Sequence, residues 1–134
     1  MKKHVLLVED EPDLNQTVAF NLDSEGYSVD SAFKGKEALK LIEEKTPDLI
    51  LLDLMLPDMS GLEICRILRS SKKTKNIPIM MVTAKGEEID RIVGFELGAD
   101  DYIVKPFSIR EFMLRVAAML KRSGDKKNLS LIHI

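Results

Sequence analysis

The amino-acid sequence predicts an α/β fold, a doubly wound parallel sheet of five strands with helices on both faces. Short apolar segments alternate with amphipathic helical patterns five times along the 134 residues. The run Leu49–Pro57 is broken only by Asp53, which indicates a strand buried on both faces. A helix between successive strands gives a crossover long enough for parallel pairing. These observations favour helices packed on either side of a parallel sheet.

The first half of the chain contains two strand–helix units. Val5–Val8 is a short apolar strand, and Pro12 suits the first turn of the helix that follows. Gly26 lies just past the end of this helix. Tyr27–Ser31 predicts a second strand, and the spacing of apolar residues predicts a second helix over Lys36–Glu44.

The third unit begins with the buried strand, which ends at Asp53. Ser60 and Glu63 have the spacing of a capping box and open the third helix. Ile77–Val82 predicts the fourth strand, followed by Thr83.

The last two units are shorter. Glu87–Leu97 predicts a fourth helix, with Gly98 as its C-cap. Tyr102–Val104 predicts a fifth strand, and Ser108–Lys121 predicts a fifth helix.

Composition excludes several classes of protein. Twenty basic residues nearly balance 22 acidic residues, so bulk charge argues against nucleic-acid binding by this domain. Cys65 is the only cysteine, which excludes a disulfide framework and a Cys-based metal site. The apolar segment near the start is too short for a signal peptide or a membrane span, so we expect a cytoplasmic protein with no membrane partner. We predict that both histidines, His4 and His133, are surface residues.

The predicted domain covers residues 1–122. Residues 123–128 have the composition of a linker, and residues 129–134 alternate as a strand would. The sequence therefore predicts the truncated start of a second domain at 129–134.

Polar residues follow four of the predicted strands at one edge of the sheet. Glu9 and Asp10 follow strand one, Asp53 ends strand three, Thr83 follows strand four and Lys105 follows strand five. Ligands bind at this edge in open α/β sheets. Three converging carboxylates repel one another unless a hard cation such as Mg²⁺ lies among them. Each residue alone also has an ordinary structural explanation, such as a charge at a helix N-terminus; their co-occurrence favours a phosphoryl-accepting aspartate site.

Four motifs resemble the signature of a response-regulator receiver domain in two-component signal transduction. They are Val8–Glu11, Leu51–Pro57, Val82–Ala84 and Tyr102–Phe107, and the resemblance extends from residue 3 to about 122. It implies a flavodoxin-like fold with strand order 2-1-3-4-5. It also implies a switch and not an enzyme, with self-catalysed phosphotransfer and slow autodephosphorylation. The phosphodonor would be the histidine of a partner sensor kinase.

The resemblance implies a role for each residue at the edge. Asp53 would be the phosphoacceptor. Asp10, Asp53 and the backbone carbonyl of Met55 would bind Mg²⁺, and Glu9 would act through a water molecule. Lys105 would contact the phosphoryl group.

Two further residues would form the switch. Thr83 would move toward the phosphoryl group, and the ring of Tyr102 would turn into the vacated space. The family also implies a cis peptide bond between Lys105 and Pro106, which X-Pro sequences allow.

Helical periodicity predicts surplus apolar residues on the fourth and fifth helices. Ile92 and Phe95 fall outside the expected buried stripe of Ile89, Val93 and Leu97. Leu114 and Ala118 fall outside the stripe of the last helix, namely Phe112, Met113, Val116 and Leu120. Scattered surface apolar residues are common, but their recurrence on two helices beside one edge strand favours an interface.

This region most resembles the OmpR/PhoB class, whose members dimerise through the fourth helix, fifth strand and fifth helix. By position, Arg91 would pair with Glu111 of the second copy. Asp100 or Asp101 would pair with Arg115 or Arg122. Ala117 departs from the class, where a basic residue is common. The class also implies a C-terminal winged-helix domain, so DNA binding would belong to that missing domain.

Two alternatives belong to other functional classes. A phosphohydrolase could use Asp53 as a nucleophile, but it would need an acid or base two residues on, and Met55 cannot serve. A nucleotide-binding domain would need a Gly-rich phosphate loop, which the sequence lacks.

Overall fold

The computed structural model describes the backbone of residues 2–84 and 88–132 and the side chains of residues 2–84 and 92–121. Its five strands are β1 (His4–Val8), β2 (Ser28–Ala32), β3 (Leu49–Asp53), β4 (Ile79–Ala84) and β5 (Asp101–Lys105). Its five described helices are α1 (Pro12–Ser24), α2 (Gly35–Glu44), α3 (Gly61–Arg69), α4 (Glu88–Glu96) and α5 (Ile109–Ile132). The predicted order of elements is confirmed.

The strands form one parallel sheet in the order β2-β1-β3-β4-β5, as predicted. β3 is at the centre and is buried along its whole length, which explains its continuous apolar sequence. Because all strands point the same way, their carboxyl ends meet at one edge.

Side chains of the strands alternate between two apolar cores. Leu6 and Val8 of β1 pack on the side covered by α2 and α3. Val5 and Leu7 pack on the opposite side, which α1 and α5 cover. This alternation follows from the two-residue period of a strand and produces helices on both faces of the sheet.

The ends of three helices carry the residues predicted for them. Pro12 occupies the first turn of α1, and Gly98 has the positive φ of 104° that favours glycine after a helix. The Oγ of Ser60 accepts a hydrogen bond from the amide of Leu62, so Ser60 is the N-cap of α3. The capping box is only half formed, because Glu63 pairs with Arg66.

Two local predictions are wrong. His4 is buried, with its Nε2 3.1 Å from Asp30 Oδ2 and its Nδ1 3.3 Å from Ser28 Oγ. Pairing with β2 draws this residue into the sheet. Val93 of α4 is exposed, because Gly94 is the residue that faces the sheet. The second histidine, His133, lies outside the described residues.

The tail also differs from its predicted secondary structure. α5 continues to Ile132, so residues 123–128 and the described part of 129–134 are helical, whereas the sequence predicted irregular structure and a strand there. A helix satisfies its backbone hydrogen bonds within the segment, whereas a strand needs a neighbouring strand. The division into domains stays a prediction.

Among residues 2–84 and 88–132, we find no helix with the length and apolar character that crossing a membrane requires.

Candidate phosphoacceptor site

Four strands bring the predicted site residues to one edge of the sheet. Asp53 is the last residue of β3 and is 6% exposed. Thr83 lies on the neighbouring strand β4, in register with Val104 of β5. Lys105, the next residue of β5, is in register with Ala84. The order of strands therefore sets acid, hydroxyl and amine side by side.

Three carboxylates form a cluster at this edge. Glu9, Asp10 and Asp53 each offer an oxygen, and these oxygens all lie within 4.8 Å of one another. Glu9 and Asp53 are buried, whereas Asp10 is exposed. Oxygen ligands at this spacing suit a hard divalent cation such as Mg²⁺, so the residues present fit the predicted metal.

Lys105 partly neutralises the cluster. Its Nζ lies 2.8 Å from Glu9 Oε1 and 3.1 Å from Asp53 Oδ2. Burial alone would lower the pKa of the Lys105 ammonium, but its hydrogen bonds to the two carboxylates and their charges outweigh burial and raise the pKa above 10.5. The amine is thus protonated at neutral pH. The peptide bond between Lys105 and Pro106 is cis, as the resemblance implied.

The carboxyl of Glu9 holds its proton unusually tightly. Burial raises its pKa to about 7, and the charge of nearby Asp53 adds to this increase. Hydrogen bonds from Lys105 and from the amide of Glu11 act in the opposite direction without cancelling burial. A cation bound at the cluster would compete with this proton.

The loop after β3 holds one side of Asp53. The amide of Met55 donates a 3.0 Å hydrogen bond to Asp53 Oδ1, while Lys105 contacts Oδ2. Met55 is 65% exposed, and its thioether side chain offers neither an acid nor a base at the site.

Thr83 is buried beside this cluster with its hydroxyl unused. The side chain is fully buried, and its Oγ1 has no hydrogen-bond partner among the residues that the structure describes. A buried hydroxyl without a partner costs free energy of about 1–3 kcal/mol. This orphaned donor at the end of β4 suits an oxygen-rich group placed next to Asp53.

Tyr102 is buried on the side of α4. Its hydroxyl lies so close to Gly94 that a Cβ at that position would overlap it. Its ring stacks at a tilt on Phe95, with ring centroids 4.6 Å apart. Phe95 is itself half-exposed, so this contact connects the buried tyrosine to the surface of the domain.

The predicted interface residues divide into apolar and charged groups. Ile92, Phe95 and Leu114 are exposed by 61%, 50% and 63%. Arg115 and Asp101 pair within one chain, with Arg115 Nη1 3.0 Å from Asp101 Oδ1. The described side chains do not include Arg91 and Arg122.

Two of the charged interface residues have additional partners in the same chain. Glu111 Oε1 accepts a hydrogen bond from Arg115 at 3.3 Å. Asp100 pairs with Arg69, whose guanidinium also donates to the carbonyls of Gly98 and Ile77. Arg69 thereby ties the end of α3 to the turn between α4 and β5.

Sequence patterns alone did not identify Asn15, Gly94 or Arg69 as functionally placed residues. Asn15 is buried, and its Nδ2 donates to the carbonyl of Glu9 at 2.9 Å, fixing the backbone of the acidic loop. Its place on the buried stripe of α1 with Val18 and Leu22 could have identified it. Nothing local identifies Gly94 or Arg69, because their partners lie outside the helix that carries each of them.

Comparison with known proteins identifies the class of protein. The family model for the response regulator receiver domain matches residues 5–117. The chain therefore belongs to the response regulator receiver domain family, the receiver component of two-component signalling.

Two similar proteins indicate the class of response regulator to which this receiver domain is related. The chain is 49% identical over 123 residues to the phosphate regulon transcriptional regulatory protein PhoB of Rhizobium meliloti (strain 1021), covering 92% of this chain and 54% of that protein. It is 50% identical over 123 residues to the alkaline phosphatase synthesis transcriptional regulatory protein PhoP of Bacillus subtilis (strain 168), covering 92% of this chain and 50% of that protein. These matches confirm the predicted OmpR/PhoB class. The chain spans about half the length of both relatives.

A solved structure shows the same fold. The crystal structure of a response regulator from Chloroflexus aurantiacus is 36% identical, with a TM-score of 0.85 over 90% of this chain and 99% of that one.

Proposed function

We propose that this receiver domain accepts a phosphoryl group on Asp53 from the histidine of a sensor kinase, with Mg²⁺ as cofactor. The observation that carries the proposal is the pairing of buried Asp53 with protonated Lys105, next to the orphaned hydroxyl of Thr83. A buried carboxylate with these neighbours is equipped to receive a group rich in oxygen.

The acidic cluster and the loop after β3 would hold the metal. Asp10, Asp53 and the backbone carbonyl of Met55 would be its protein ligands, and Glu9 would act through water. When bound, Mg²⁺ supplies positive charge that offsets the charge of the carboxylates and the phosphoryl oxygens.

The chain's own residues then perform the transfer. A carboxylate oxygen of Asp53 forms a bond to phosphorus as the bond from phosphorus to the donor nitrogen breaks. Lys105, held 3.1 Å from Asp53, stabilises a phosphoryl oxygen as a point charge. Thr83 donates its unused hydroxyl hydrogen to another phosphoryl oxygen.

The output would be a change of surface and not a released product. A hydrogen bond from Thr83 to the phosphoryl group would move the Thr83 side chain and so change the favoured position of Tyr102. The contact between Tyr102 and Phe95 would carry this change to the α4-β5-α5 face. We propose that this face forms a homodimer when Asp53 is phosphorylated. Ile92, Phe95 and Leu114 supply exposed apolar surface for it.

We further propose that the whole protein is a cytoplasmic transcription regulator. Its receiver would span residues 1–122 and would be followed by a linker and a winged-helix domain that binds DNA. Both relatives carry the name of transcriptional regulatory proteins, and each is about twice as long as the matched region. The receiver itself has balanced charge, so specific DNA binding would require the second domain.

The assignment of Asp53 is tested with a small-molecule phosphodonor. In the presence of Mg²⁺, intact-mass measurement should show one phosphoryl adduct, and light scattering should show a shift toward dimer. The variant Asp53→Asn should show neither, because an amide is a poor nucleophile and carries no charge. Multiple turnover of phosphate esters by the wild-type chain would instead support the phosphohydrolase alternative.

A further inference from the structure

Asp58 connects the loop after β3 to a distant helix. Its Oδ1 accepts a 2.7 Å hydrogen bond from the amide of Gly35, and its Oδ2 accepts a 3.0 Å hydrogen bond from the amide of Lys36. These are the first two amides of α2. The preceding residue, Lys34, makes no side-chain cap there, so Asp58 caps α2 from another part of the chain.

The carboxylate suits this position. Hydrogen bonds from the amides of Lys36 and Gly35 lower the pKa of Asp58 below 3.8, so it is ionised at neutral pH. Its negative charge also complements the positive end of the helix dipole.

The same loop packs tightly against the start of α2. A Cβ at Gly35 would overlap the side chain of Met59, so glycine permits this close approach. Met59 and Leu56 also pack against the apolar core. Asp58 and Met59 thus hold the tip of the loop against α2.

The base of the loop is closed by its own backbone. Met55 and Ser60 form an antiparallel bridge, and the amide of Gly61 donates to the carbonyl of Leu54 at 2.7 Å. The base and the tip are therefore parts of one compact segment. Met55 belongs to this segment, but its exposed side chain contributes little packing, so the backbone contacts must determine where its carbonyl lies.

We infer that Asp58 is a positioning residue for the metal site: by fixing the loop tip on α2, it orients the Met55 carbonyl for Mg²⁺. This inference rests on the proposed function of the site. Asp58 acts through the backbone of the loop and does not touch the metal or the phosphoryl group.

Glu37 offers a matched control on the same helix. Its Oε1 accepts a 2.7 Å hydrogen bond from the amide of Phe33, closing the start of α2 from within. Glu37→Ala therefore weakens the same helix end without changing the loop after β3. Any effect that follows only from loss of helix stability should appear in both variants.

The experiment measures Mg²⁺ affinity by calorimetry on the unphosphorylated chain, together with thermal unfolding. Asp58→Ala should weaken Mg²⁺ binding by about 10-fold, the low end of the effect of removing an outer partner of a metal ligand. Asp58→Asn keeps one acceptor and should show an intermediate loss. Glu37→Ala should lower the unfolding temperature comparably but leave Mg²⁺ affinity within about 2-fold of wild type.

Two results would overturn the inference while leaving the proposed function intact. One is an Asp58→Ala variant that binds Mg²⁺ as tightly as wild type. The other is a Glu37→Ala variant that loses as much affinity as Asp58→Ala. A wild-type chain that neither binds Mg²⁺ nor forms an adduct on Asp53 would instead refute the proposed function, and the inference with it.

Discussion

At the scale of single residues, Glu9 has a pKa that the fold raises strongly, to about 7. The site holds three carboxylates with oxygens within 4.8 Å of one another and one ammonium that contacts two of them. Asp53 faces Lys105 on one oxygen and the Met55 amide on the other, whereas burial dominates the environment of Glu9. The metal-free site therefore retains a proton on Glu9 up to about pH 7.

The raised pKa of Glu9 predicts how stability varies with pH in the absence of metal. Its pKa is 4.5 ordinarily and about 7 in the folded chain, so the folded state binds the proton more tightly than the unfolded state. The contribution of Glu9 to the free energy of unfolding is fully present below pH 4.5 and is lost as the pH rises through 7. Urea unfolding in metal-free buffer should give a free energy that falls between about pH 5 and about pH 8.

The matched variant is Glu9→Gln, which cannot ionise. Its free energy of unfolding should be nearly independent of pH over this range, and above pH 7 it should exceed that of the wild type. An equal decline in wild type and variant would show that another group is responsible.

At the scale of elements, Gly94 permits α4 to lie directly over Tyr102. The hydroxyl of Tyr102 occupies the space that a side chain at position 94 would need. Arg69 fixes the turn after α4, because its guanidinium donates hydrogen bonds to the carbonyl of Gly98 and the carboxylate of Asp100. The position of the proposed switch residue thus depends on how α4 packs against β5.

A larger residue at position 94 should displace the tyrosine. Gly94→Ala places a methyl group where the Tyr102 hydroxyl lies, so we expect a loss of about 1–3 kcal/mol from overpacking. In a Tyr102→Phe background the hydroxyl is absent, and the loss should be smaller. A double-mutant cycle of urea unfolding measures the difference. The effect of Gly94→Ala on helix propensity is the same in both backgrounds, so it cancels in the cycle. Equal losses of stability in the two backgrounds would mean that the Tyr102 hydroxyl and the new methyl group do not compete for the same space.

At the scale of the whole molecule, the site and the α4-β5-α5 face share strand β5, which pairs with β4. Thr83 is the next-to-last residue of β4. β5 carries Tyr102, in register with Met81, and Lys105, in register with Ala84. The tilted contact between Tyr102 and Phe95 joins this pair of strands to the exposed side of α4. A signal from Asp53 to the surface would therefore need to cross only adjacent elements.

The proposed dimer predicts a charge-reversal experiment. Glu111→Arg should weaken dimerisation of the phosphorylated chain by roughly 5-fold, because it would face Arg91 of the second copy. Glu111 also accepts a hydrogen bond from Arg115 in its own chain, so the single variant changes two contacts. Adding Arg91→Glu should partly restore affinity only if the contact between copies matters. Analytical ultracentrifugation measures both, and unchanged dimerisation in both variants would refute the pairing.

The sequence by itself determined the order of elements, the parallel sheet and the identity of the residues at its carboxyl edge. These follow from local patterns, since the apolar run Leu49–Leu52 and the helical spacings each depend on neighbours in the chain. Even so, His4 and the tail show the limit of local patterns. Pairing with β2 buries His4, and the alternating tail is helical as far as Ile132.

Only the tertiary structure decided how those residues affect one another. The ammonium of Lys105 lies 52 positions from Asp53 in sequence and 3.1 Å from it in space. The raised pKa of Glu9, the space at Gly94 and the capping of α2 by Asp58 likewise depend on packing between distant segments. Burial and charge interactions act through space, so residue types and spacings can name the participants, but only the folded arrangement sets their distances and ionisation.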